Sequence, residues 1–134
     1  MATDEKLFDV SNLEQDDTTT IDLMHPATGD PIPGVTATIY GQDSEQCRIA
    51  TRKAMNKYTE YPRKHRGKFM PSEEQEKLDF DKVVSCVKSI NGLVLKGKPI
   101  SDVAEILTLV PAFREQIQAE ITDRGNFIKT SAGK

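Results

Sequence analysis

The sequence predicts an α+β protein, mostly α, in which an N-terminal β-hairpin precedes about four helices packed as one small domain. Two short segments alternate apolar and polar residues around a loop rich in Pro and Gly, the pattern of paired strands. Further along, apolar residues recur in steps of three and four, the spacing of one helix face. A chain of 134 residues at 37% apolar content supports one modest core.

Residues 1–18 are acidic and polar, with Leu7, Phe8, Val10 and Leu13 scattered among carboxylates. They are expected to form a flexible arm. Residues 19–40 form the hairpin: Ile21 and Leu23 share one strand face, and Val35, Ala37 and Ile39 share another, with turn formers between them. Two strands alone are marginal in water, so one face must pack on the helices or pair with another chain. A helix near residues 44–59 follows, with Asp43 as its expected cap. Cys47, Ile49, Ala50, Ala54, Met55 and Tyr58 make its apolar side, and Arg48, Arg52, Lys53 and Lys57 a basic one. Tyr61-Pro62 is expected to end it, leaving Arg63-Lys64-His65-Arg66-Gly67-Lys68 as a basic loop.

The densest apolar run lies between Phe80 and Leu95. Phe80, Val83, Val84, Val87, Ile90, Asn91 and Val94 follow helical steps, which predicts the longest helix over residues 73–91. Ser72 and Gln75 suit its capping box, Glu73, Glu74 and Glu76 suit the positive end of its dipole, and Asn91-Gly92 suits its stop. A connection through Gly97 and Pro99 leads to a short helix at 102–110, capped by Ser101, and another at 112–124 begun by Pro111 and ended by Gly125. The globular domain therefore spans 19–128, and residues 129–134 form a polar, flexible tail.

A net charge of −3 and a pI near 5.4 give no general attraction for nucleic acid or an anionic membrane. No apolar run approaches the roughly 18 residues that cross a bilayer, and the N-terminus lacks a signal-peptide pattern. Cys47 and Cys86, the only cysteines, read as buried thiols in a reducing compartment. Residues 92–99 match a phosphate-binding loop up to the last position, where Pro99 supplies neither the required hydroxyl nor a backbone donor. His25 and His65 lack partners at metal-ligand spacing. The expectation is no catalysis, no metal and no cofactor.

The assembled order of elements is similar to a known family. Its carriers are Tyr40-Gly41-Gln42-Asp43-Ser44 before a helix bearing Arg48, Arg52 and Lys53, then Asn91-Gly92-Leu93 and Gly97-Lys98-Pro99-Ile100-Ser101. The end of the chain, Pro111-Ala112-Phe113-Arg114-Glu115-Gln116-Ile117 through Arg124-Gly125-Asn126-Phe127-Ile128, completes the set. Together they resemble the tail assembly chaperones of long-tailed bacteriophages. Relatives are expected to carry a Trp shortly before the Gly-Leu pair, where this chain has Val87 to Ile90.

The resemblance implies a small, non-catalytic, mostly helical protein made in the host cytoplasm and absent from the mature virion. Its implied partner is the tape-measure protein, a long and largely helical apolar chain, with tail-tube subunits recruited afterwards. Self-association is compatible with it. An apolar groove between the last two helices, through Ile106, Leu107, Val110, Phe113 and Ile117, would hold a partner helix. The charged N-terminal arm and the basic loop, with Arg63, Lys64 and Arg66, would contact tube subunits or neighbouring chaperones. Genes of this family often carry a slippery site near their end, and Gly133-Lys134 can be encoded by a run of G and then A, so a longer frameshifted product is expected. Two other classes stay open: a minor structural or head–tail joining protein of the virion, and a small nucleic-acid-binding regulator using the basic loop.

Overall fold

In the computed structural model, residues 7–128 are described, and the predicted tail lies outside them. The architecture is α+β with helix outweighing strand, in one small domain. Strands β1 (Thr18–Met24) and β2 (Pro31–Tyr40) form the expected hairpin. His25 closes its loop, donating its N–H to the Asp30 carbonyl at 2.8 Å while its own carbonyl accepts from Gly29. The alternation holds: Leu23, Val35, Ala37 and Ile39 face the core, and Thr20 and Thr38 meet through their hydroxyls on the opposite face.

A third strand departs from expectation. The chain from Phe80 to Asn91 is not one helix: α2 (Ser72–Ser85) stops at Cys86, and Val87–Asn91 forms β3, antiparallel to β2 in the order β1-β2-β3. The reason lies in a β-bulge. Ile39 pairs with Val87 and Thr38 with Ser89, so Lys88 is an extra residue. The bulge turns Val87 and Ile90, three apart, to the same buried face, which imitates helical spacing. The longest helix is instead α1 (Glu45–Lys64), which runs through Pro62. Proline costs the Tyr58 carbonyl its partner, but Tyr58 is exposed and water can replace the bond.

Capping also differs in detail. Ser44, not Asp43, caps α1 by accepting from the Cys47 N–H at 3.2 Å. Pro71 precedes α2, and Gln75 donates to the Met70 carbonyl instead of closing a box with Ser72. Asp102 caps α3 (Val103–Leu109) in place of Ser101. Helix α4 (Pro111–Ile121) begins at Pro111, and Gly125 sits inside a following 3-10 turn, Arg124–Phe127.

Between β3 and α3, Val94–Leu95 and Lys98–Pro99 pair as β4 and β5 around a two-residue turn, Lys96 at φ 52° and Gly97 at φ 84°. The near-match to a phosphate loop follows β3, but its backbone closes a miniature hairpin and does not wrap ahead of a helix.

The core lies on one face of the sheet. Leu23, Ala37, Ile39 and Ile90 pack there with Ile106, Leu107, Phe113, Ile117 and Phe127, all at most 3% exposed. Helix α4 lies against β1, β2 and α2. Gln116 on α4 fastens the edge strand: its Oε1 accepts from the Met24 N–H at 2.7 Å and its Nε2 donates to the Met24 carbonyl at 2.9 Å. The arm is pinned near its end. Gln15 bridges Ile128, the Asp16 N–H reaches the Phe127 carbonyl at 2.7 Å, and the Asp17 carbonyl accepts from Gly41.

Candidate partner-binding surfaces

Helices α1 and α2 form an antiparallel pair that packs chiefly on itself. Of the twenty residues of α1, the buried ones are Cys47 and Ala50, both near its start; α2 buries only Val83, near its end. The far half of the pair therefore stands clear of the core. Its tip is fixed locally. The Arg66 backbone is left-handed at φ 56°, and the Gly67 N–H donates to the Pro62 carbonyl at 2.7 Å, the six-to-one bond of a Schellman ending. Tyr61 and His65 stack with ring centroids 3.8 Å apart, and Lys64 meets Glu60 at 3.6 Å.

Arg63 and Lys64, expected in a loop, close the last turn of α1, and Arg66 follows in the turn; all three are exposed. Phe69, in the turn that follows, is 87% exposed, and earlier along α1 Met55 is 59% and Tyr58 48% exposed. Met70, by contrast, is buried under the tip and holds the two helices together there. A shallow hollow of about 500 Å³ runs beside it, lined in part by Lys57, Tyr61, Lys64 and His65.

The predicted apolar groove is placed differently. Ile106, Leu107, Phe113 and Ile117 are core residues, and Val110 is half-buried against them. A partner helix could reach those four only by opening the domain, because they hold α3 and α4 on the sheet. The reason is the sheet's size: its inner face needs both helices to cover it.

A larger cleft, about 600 Å³, opens where α1, the end of α2 and the end of α4 meet. Its floor holds Cys47, Val83, Cys86 and Ile121, and its rim holds Arg48, Arg52 and Lys82. The spacing of Cys47, Arg48, Thr51, Arg52 and Met55 along one stripe of α1 is visible in the sequence. The opposing wall is not, since it depends on α2 ending at Ser85. Both cysteines are free and buried. The Cys47 thiol donates to the Tyr40 carbonyl at 3.3 Å. A hydrogen bond from Cys86 holds Cys47 below the ordinary thiol range, and the same contact, with burial, pushes Cys86 up. Neither is thereby set as an exposed nucleophile. Among the described residues, no group of three or more His, Cys, Asp or Glu side chains is placed to hold a metal ion, and no helix is long and apolar enough to cross a membrane.

Two of the segments that carry the family resemblance, residues 40–44 and the stretch ending at Ile128, meet one another in space. Gly41 lies so close to the Phe127 ring that a Cβ there would stand 3.1 Å from it. The Gln42 N–H donates to the Ile121 carbonyl at 3.2 Å, and Gln42 Nε2 to the Thr122 carbonyl at 3.0 Å. Arg124 grips Asp43 with a forked pair of bonds at 2.6 and 3.1 Å. These segments join the start of α1 to the end of α4, so their role here is structural. No family model, curated protein or solved structure matches the chain.

Proposed function

We propose that this protein is a non-catalytic assembly chaperone of the phage-tail kind, which holds the tape-measure protein before tail-tube subunits polymerise around it. The observation that supports a binding role is the α1–α2 pair, whose far half stands clear of the core and leaves Met55, Tyr58 and Phe69 exposed, with Arg63, Lys64 and Arg66 exposed at its tip. Isolated exposed apolar residues are ordinary, but three large ones along a helical pair outside the core suit an amphipathic partner. The identity of the partner rests on the sequence resemblance. A tape-measure chain is helical and apolar and would aggregate bare, and charged residues around an apolar strip would keep a coated chain in solution. In this reading the binding surface moves from the α3–α4 groove to the α1–α2 tip.

Co-expression with the neighbouring gene products tests this. The chain should capture the tape-measure protein and keep it soluble. Tyr58→Ser with Phe69→Ser should abolish capture while the melting temperature changes little, because both side chains are exposed. Ile117→Ala, at a fully buried site, should instead lower stability by about 2–5 kcal/mol. Capture that survives the tip substitutions overturns the surface. Recovery of the protein in purified virions overturns the chaperone role in favour of a structural one.

A further inference from the structure

We infer that the N-terminal arm of one copy docks into the basic cleft of a second copy of this chain. Each chain carries both halves of such a contact. Ahead of its pinned end, between Asp4 and Glu14, the arm has four carboxylates and one lysine. The cleft has Arg48, Arg52 and Lys82 around an apolar floor. Opposite charge of this kind steers and orients an encounter, and the apolar floor supplies the affinity.

The arm also carries exposed apolar groups that match this floor. Leu7 is 75% exposed, Phe8 64%, Val10 73% and Leu13 52%. Four large side chains uncovered within seven residues are more than a solvated arm needs. Val10–Leu13 is a 3-10 turn, in which residues three apart lie one above the other, so Val10 and Leu13 form one apolar edge. Asp9 stabilises that turn by accepting from the Ser11 N–H and hydroxyl at 3.0 and 2.8 Å. The segment therefore arrives partly ordered, which lowers the entropy lost on docking. The cleft volume, about 600 Å³, is that of a site holding a few large side chains.

The occupant is a second copy because the arm leaves its own cleft open. Its end is fixed to Phe127 and Ile128 by backbone bonds, and its apolar residues remain exposed in the single chain. A second copy offers the matching surface in equal amount. If each arm enters the other's cleft, the contact is two-fold and closed; if the exchange runs head to tail, an open row results. This inference does not use the tape-measure reading; the two surfaces share Met55, and the variants below leave Tyr58 and Phe69 of the tip unchanged.

Light scattering and sedimentation of the full chain, from low to high concentration, supply the test. Wild type should self-associate, and the dissociation constant should rise with salt. Phe8→Asp with Leu13→Ser in the arm, or Arg52→Glu on the cleft rim, should each weaken association by about tenfold or more. All three positions are exposed, so circular dichroism should confirm that the variants fold. The arm variant and the cleft variant should then associate when mixed, because each supplies the half the other lacks. A wild-type chain that stays monomeric overturns the inference. So does association that survives both substitutions, or a spin label at residue 8 that reports contact with the cleft in dilute monomer.

Discussion

Gly92→Ala tests the point where the hairpin and β3 come closest. Gly92 has φ +92°, a conformation that costs an L-residue about 1–2 kcal/mol. A Cβ there would also collide with the Gly34 carbonyl oxygen and stand 2.9 Å from its carbon and 3.2 Å from the Val35 Cα. A methyl group has no rotamer through which to escape, and all three neighbours are backbone atoms. The strands must part at that end, where Thr36 pairs with Asn91 and Val35 and Ile90 are buried beside it. Losing about one ladder bond and part of that burial adds about 1–2 kcal/mol. The expected loss is about 2–4 kcal/mol, a large part of the ~5–15 kcal/mol that holds a typical domain. Gly97→Ala is the control. Gly97 has a similar φ of +84°, but a Cβ there meets nothing within 4 Å among the described residues, so the loss should be only about 1 kcal/mol. Urea unfolding followed by circular dichroism measures both. If Gly92→Ala is no worse than Gly97→Ala, the close approach of β2 and β3 does not govern this position.

Three further outcomes are expected. Arg66→Gly should raise stability by about 0.5–1 kcal/mol in the same unfolding assay, because glycine adopts the left-handed position after α1 without strain. Gln116→Ala should cost about 1–3 kcal/mol and speed hydrogen exchange at Met24, whose N–H and carbonyl both lose their side-chain partner. Asp43→Asn should show a pH-dependent cost: the Arg124 hydrogen bond holds the Asp43 carboxyl below its ordinary value of 3.8, so its small contribution is present above that pH and lost as pH falls through the folded value. The gap in melting temperature between wild type and Asp43→Asn should accordingly close in acid.

The hairpin was legible because its signal is local: Val35, Ala37 and Ile39 alternate, and the turn formers lie between the strands. The four helices were legible as elements, through period and through Pro111 at a first helical position. The third strand was not, since Val87 and Ile90 take their common face from a bulge created by pairing with β2, a partner nearly fifty residues earlier in the chain. Pro62 misled in the other direction, because an exposed carbonyl one turn earlier tolerates the missing donor. At the candidate sites, the exposed cations Arg63, Lys64 and Arg66 could be named from composition alone. The apolar set at Ile106, Leu107, Phe113 and Ile117 could not be assigned to core or groove, because periodicity identifies the apolar face of a helix but not what covers it.

The same limit explains why the proposed binding surface lies on α1 and α2 instead of α3 and α4. A helix covered by the sheet needs a continuous apolar stripe, which α4 has in Phe113, Ile117 and Ile121. A helix held mainly by its neighbour needs fewer buried groups and more local support. That is the pattern of α1, with burial at Cys47 and Ala50, and beyond them an i,i+4 ion pair, a ring stack and a Schellman ending. Such a helix is stable enough to be formed yet adds little to the core, so its outer residues are free to be chosen for a partner. Phe69 is the clearest case. It sits at the turn between the two helices, is almost fully exposed, and lies next to Met70, which already fills the space beneath. Folding gains little from a large apolar ring in that place, which is why the proposed surface includes it.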